Sequence, residues 1–238
     1  MTATTAPTTD LAALGEATAR LLAAVDTLDD AAVGQPSALP GWTRGHVLAH
    51  LSRNADALVN VLTGRPMYPS EEARDADIER DAPRPAAAHR ADLRDSAARL
   101  RATAAELTDE RWGAVVTFRN GVTDVAASIP LRRWIEVELH HLDLALGLTV
   151  AGLPGAFLDR ALGYLAARFA GHPDVRPLEL RAEDGRHWRT GADPDESRAG
   201  VVVVVGTPAA LVGWLSGRTA GGGLSTTGGE SLPALPPL

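Results

Sequence analysis

The chain contains no cysteine. Disulfides, thiolate metal sites and a cysteine nucleophile are therefore all excluded, so any metal must be held by His, Asp or Glu, and any sulfur chemistry must arrive on a small molecule. Aromatic side chains are almost as scarce, at 4% against 45% hydrophobic residues, so alanine and aliphatic side chains must pack the helices. There is no Lys/Arg block, no zinc-finger spacing and no interleaving of aromatic with basic residues, and the formal net charge is -7. A chain of that kind has no field for drawing in phosphates, and no nucleic-acid partner is expected. The longest purely aliphatic run, Val201 to Val205, is far too short to span a bilayer, and no cationic start precedes an apolar segment. A cytoplasmic protein without a membrane anchor is expected. GxSxG, P-loop and HExxH patterns are missing too, which leaves serine-hydrolase, nucleotidase and zincin chemistry without support.

The 238 residues suffice for two modest domains with separate cores. The pattern predicts an α+β chain, with a helical bundle over residues 1–150 followed by a small α/β domain over 151–238. After a Thr/Ala/Pro leader expected to fray, apolar residues recur at helical spacing from Thr9 to Leu28. Two prolines and a glycine break the chain between Gln35 and Trp42, and Thr43 offers an N-cap to a second helix reaching Leu62. A polar stretch from Arg65 to Arg84 reads as a long connection, a lid or a site wall. Third and fourth helices are predicted over Pro85–Leu107 and Pro130–Gly147, enough for a four-helix bundle. Beyond Gly152 the pattern gives a helix over Pro154–Ala170, then a hairpin of Pro177–Arg181 and His187–Arg189 around an Asp-Gly turn. A strand over Val201–Val205, a helix over Pro208–Leu215 and a loosely held Gly/Pro-rich tail from Gly221 complete it.

At about 100° per residue, Ile135, Leu139, Leu142 and Leu146 form the apolar stripe of the fourth helix, with Arg132, Glu136, His140 and Asp143 along its flank. Glu138 and His141 fall on the other side and are expected to face solvent. Glu136 and His140, one turn apart, could grip a single ion. On the second helix His50 edges the stripe of Val47, Leu51, Leu58 and Leu62, and Asn54 lies within it. His50, Glu136 and His140 thus make a candidate set of three N/O ligands with a position left open, as zinc takes in transfer sites. The same spacing also suits a solvated helix face and a hydrogen-bonded core histidine, and on residues alone both stay open. His46 and His141 are expected at the surface, and His89, His172 and His187 carry no chemistry.

Leu39-Pro40-Gly41-Trp42-Thr43-Arg44-Gly45-His46-Val47-Leu48-Ala49-His50-Leu51 strongly resembles the mycothiol-dependent maleylpyruvate isomerase family, a branch of the DinB-like metal-binding bundles. Arg133-Trp134-Ile135-Glu136 through His140, His141 and Asp143 looks like that family's second metal segment. Pro208 to Arg218 is similar to the end of its C-terminal, sterol-carrier-like domain. The resemblance implies zinc on His50, Glu136 and His140, mycothiol as the thiol, and conversion of maleylpyruvate, a small dicarboxylate, to fumarylpyruvate. Arg218 is a candidate clamp for a carboxylate and for developing enolate charge, with Arg53 and Arg132 as alternates; equally, it could serve as a cation at a helix C-terminus. Related bundles attach thiols to other electrophiles, so a mycothiol S-transferase is the competing enzyme reading, and a non-catalytic apolar-ligand-binding protein the competing reading of another class. With no apolar surface stripe left over, a monomer is expected.

Overall fold

The computed structural model describes residues 6–193 and 200–237. Of the leader expected to fray, residues 1–5 lie outside the described residues. The chain divides into two compact units, 1–147 and 148–238.

In the first unit, α1 (Thr8–Val25) and the single turn α2 (Asp30–Val33) lead to α3 (Arg44–Leu62). Then come α4 (Glu71–Asp81), α5 (Ala86–Ala105) and the short α6 (Asp109–Trp112). A two-stranded antiparallel hairpin, β1 (Val115–Thr117) and β2 (Thr123–Val125), precedes α7 (Ile129–Asp143). The four long helices α1, α3, α5 and α7 form the bundle, with α3 against α5, α4 and α7, and α7 against α1 as well as α3. Small side chains let these helices approach: Ala17, Ala49 and Ala55 are fully buried beside Leu48 and Leu51. Each buried leucine contributes roughly 1.5–3 kcal/mol.

Three local devices fix α3 relative to its neighbours. Thr43 caps it: the Thr43 hydroxyl accepts from the His46 backbone N–H, and the Thr43 N–H donates to His46 Nδ1 at 3.2 Å, completing a capping box. Arg44 donates from Nε to Leu144 O at 2.7 Å, so the start of α3 satisfies carbonyls left open at the end of α7. Gly45 allows close contact with the α4–α5 junction, since a Cβ there would sit 2.1 Å from Ala82 O.

Two expectations are corrected here. The stretch from Arg65 to Arg84 is not structureless, because Ser70 caps α4 by accepting from Ala73 N–H and Glu71 and Glu72 follow in the first turn. Only Ile78 and Asp81 of that helix are buried, which is why no apolar periodicity announced it. Glu138 and His141 do not face solvent, because α1 covers that side of α7. Glu138 is 1% exposed and accepts from Arg20 and from Trp134 Nε1.

In the second unit α8 (Gly155–Phe169) and α9 (Pro208–Leu215) accompany a four-stranded sheet. Its strands are β3 (Leu178–Ala182), β4 (His187–Thr190), β5 (Val202–Gly206) and β6 (Ser225–Thr226), in the order β4-β3-β5-β6. β3 pairs antiparallel with β4 and parallel with β5. Alternation along β5 buries Val202 and Val204 and leaves Val203 and Val205 half-buried. The tail from Gly221 is not wholly loose: β6 adds an antiparallel edge strand, Thr226 opposite Val204. No described helix is long and apolar enough to cross a membrane.

Candidate metal centre

The end of α7 is tied to the start of α3 by Arg44, and to the loop leading into α3 by the Ala38 N–H, which donates to Asp143 O at 2.8 Å. That tie holds His50, two turns into α3, beside the last two turns of α7. One carboxylate oxygen of Glu136 lies 3.0 Å from His50 Nε2 and 3.2 Å from His140 Nε2. The two imidazoles meet edge to face with centroids 4.6 Å apart. One potential ligand atom from each of His50, Glu136 and His140 lies within 4.8 Å of the others, so the structure brings together the three candidates proposed from the helical spacing.

The surroundings set the state of each donor. His140 Nδ1 is 2.8 Å from Asp143 Oδ2, so a proton held there leaves Nε2 as the free donor. Three residues along the helix is close enough to bring these two side chains together. Burial opposes charge on His140, yet Asp143 and then Glu136 outweigh it and its pKa is raised. Burial dominates at His50, whose pKa falls to about 4. Burial also works against the Glu136 carboxylate, but hydrogen bonds from His140 and His50 more than offset it and hold its pKa well below the usual range. A neutral histidine, a carboxylate and a carboxylate-oriented histidine form a set that suits a divalent ion accepting nitrogen and oxygen.

Side chains that the sequence did not assign surround the donors. Trp42, from the motif preceding α3, stacks on His46 and lies 5.8 Å from the His50 ring. His46 is therefore half-buried and structural, rather than a surface residue. Arg74 on α4 reaches within 3.3 Å of His50 Nδ1. An arginine only donates, so this Nδ1 accepts and the His50 proton faces Glu136. Burial raises the Tyr68 pKa, with Arg74, Glu136 and Arg133 as its charged neighbours. Asn54, flagged as a polar residue in an apolar stripe, accepts from Arg133 Nη1 at 2.7 Å. That stripe was the signal that could have found Arg133.

The remaining candidates have partners of their own. Arg53 pairs with Asp92, Asp56 and Asp81. Arg132 pairs with Asp124 and covers the Phe118 ring. His141 is buried, which lowers its pKa, and His89 is fully buried with Nε2 3.2 Å from Ala82 O. Arg218 follows α9 in the second unit. There Gly217, at φ 72°, passes its N–H to Trp214 O while the Arg218 N–H bonds Gly213 O, a Schellman ending that needs the left-handed residue. The Arg218 guanidinium donates to Ser216 O at 2.6 Å, at the C-terminus of the helix.

Comparison with known proteins gives a consistent result. Residues 14–145 match the profile described as the mycothiol maleylpyruvate isomerase N-terminal domain, and 153–235 match the C-terminal domain of the same family. A crystal structure of the mycothiol-dependent maleylpyruvate isomerase superposes with a TM-score of 0.87 at 28% identity, covering 98% of this chain and 97% of that one. The structure of a histidine-to-alanine mutant of such an isomerase superposes with a TM-score of 0.86 at 27% identity, with the same coverage. No curated protein sequence gives a significant match. Matched in order through both units, the chain belongs to the mycothiol maleylpyruvate isomerase family.

Proposed function

We propose that the protein is a zinc-dependent isomerase that uses mycothiol to convert maleylpyruvate to fumarylpyruvate, acting in the cytoplasm as a monomer. The observation that carries this reading is the convergence of His50, Glu136 and His140, in a chain whose solved relatives are mycothiol-dependent maleylpyruvate isomerases.

His50, Glu136 and His140 would hold the ion, and when bound it supplies a thiol with a greatly lowered pKa at a fixed place. The chain brings no sulfur of its own, having no cysteine, so the nucleophile is the small-molecule thiol. The thiolate adds to an alkene carbon of the cis substrate, forming a C–S bond while the π electrons move into the conjugated carbonyl as an enolate. The former double bond is then single and rotates. Collapse of the enolate restores the C=C bond, breaks the C–S bond and returns the thiolate, so atoms and electrons balance with no net change beyond geometry. Asp143 keeps the His140 proton on Nδ1 throughout. Arg218 is assigned to a substrate carboxylate and the enolate charge, since a guanidinium on a Gly-flanked segment suits that role. A neutral His50 that binds through Nε2 carries its proton on Nδ1, which Arg74 cannot accept. His50 would therefore have to give up its contact with Arg74 to hold a metal through Nε2.

The test is zinc stoichiometry together with loss of maleylpyruvate absorbance, with and without mycothiol, in the wild type and in His50→Ala. The expected result is one zinc per chain and thiol-dependent turnover, both lost in the variant. Zinc without turnover would redirect the reading to a thiol transferase, and no zinc at all would overturn it.

A further inference from the structure

Among the described residues Arg133 is the only buried arginine, at 3% exposure. The one hydrogen bond of its side chain goes to the neutral amide of Asn54, and no carboxylate lies within ion-pair distance of it among the described residues. Burial lowers its pKa to about 10, which leaves it charged at neutral pH. A buried cation is ordinarily paired, because removing it from water without a counter-charge is costly. Arg133 holds five donor hydrogens in a planar fork and uses one of them.

Its position says what the rest are for. Arg133 precedes Glu136 by three residues on α7, and its partner Asn54 follows His50 by four on α3. The pair therefore forms the next layer of the bundle beside the metal donors. The groups that act most on its charge, Glu136 and then Tyr68, belong to that same site. Arg133 also lines a largely apolar cavity of about 450 Å³, walled by Leu14, Leu22, Leu100 and Trp112.

We propose that Arg133, oriented by Asn54, binds a carboxylate of the substrate at the metal centre, the one carried by the alkene. Resting on the isomerase reading for the substrate's identity, the assignment gives the buried fork the planar anion that it lacks.

The experiment uses zinc-loaded full-length protein as wild type, Arg133→Met, Arg133→Lys and Asn54→Ala. Zinc content and circular dichroism are checked first, then kinetics with maleylpyruvate at saturating mycothiol, and calorimetric binding of maleate without thiol. For Arg133→Met the KM should rise roughly 30-fold or more while kcat changes less than about 3-fold, the pattern of lost ground-state binding. Maleate affinity should fall in parallel, Arg133→Lys should recover part of both, and Asn54→Ala should give a smaller rise in KM. If Arg133→Met does not fold, the lysine and Asn54 variants carry the test. Unchanged KM and maleate affinity would overturn the proposal. So would zinc loss in both Arg133 variants, which would make Arg133 a support for Glu136. Octanoate binding that depends on Arg133, without maleate binding, would overturn it as well and assign the arginine to the apolar cavity. If the wild type does not isomerise maleylpyruvate, the functional reading fails by itself, and the maleate calorimetry still decides Arg133.

Discussion

Replacing Asp143 by asparagine tests whether the proposed centre is set by its outer partners. The His140–Asp143 contact is 2.8 Å long and Asp143 is almost fully buried, so its carboxylate is poorly screened by solvent. A hydrogen bond to a charged group contributes about 1.5–3 kcal/mol and a neutral one about 0.5–1.5, so Asp143→Asn removes roughly 1–2 kcal/mol from the orientation of His140. That is about a 5- to 30-fold loss of zinc affinity at pH 8, overlapping the roughly 10- to 100-fold typical of such outer partners. The assay is competition with a chromophoric chelator between pH 6 and pH 8.

The sign of the pH effect follows from the raised pKa of His140. Zinc must displace the proton at Nε2, so wild-type affinity falls once the pH drops below that pKa. Removing the Asp143 charge lowers the pKa, and the variant loses less to proton competition. The gap between the two proteins should therefore narrow on acidification. A change smaller than about 2-fold at pH 8, or a gap that widens toward pH 6, would refute the argument.

Arg74→Met should tighten zinc binding about 3- to 10-fold, because a donor against His50 Nδ1 competes with the tautomer that the metal needs and a hydrogen bond is worth about 1 kcal/mol. Calorimetric zinc titration checks it, and weaker binding would show that Arg74 supports the loaded site instead. Gly45→Ala should destabilise the first unit by about 1–3 kcal/mol, despite alanine's better helix propensity, because its Cβ would meet Ala82 O at 2.1 Å and Val33 Cγ1 at 3.1 Å. Thermal unfolding should record a midpoint lowered by roughly 3–10 °C, and an unchanged midpoint would mean that the α4–α5 junction yields freely.

Periodicity and capping chemistry are local, and most of the element boundaries could be read from them. Thr43 as a cap, the prolines opening α7 and α9, and the Asp-Gly turn between β3 and β4 each act within a few residues. The candidate donors were legible for the same reason: Glu136 and His140 are one turn apart, and His50 sits at the edge of an apolar stripe. What only the tertiary structure decided depends on what covers each face. Glu138 and His141 were assigned to solvent because a helical wheel shows a flank but not the α1 helix packed over it. Arg133 was hidden because its meaning lies in a partner 79 positions away, Asn54, whose polar place in the stripe was visible while its reason was not. The absence of cysteine told from the start that any reactive sulfur must be borrowed; where that sulfur would be held depends on a tie between the ends of α3 and α7, which no spacing within either helix encodes.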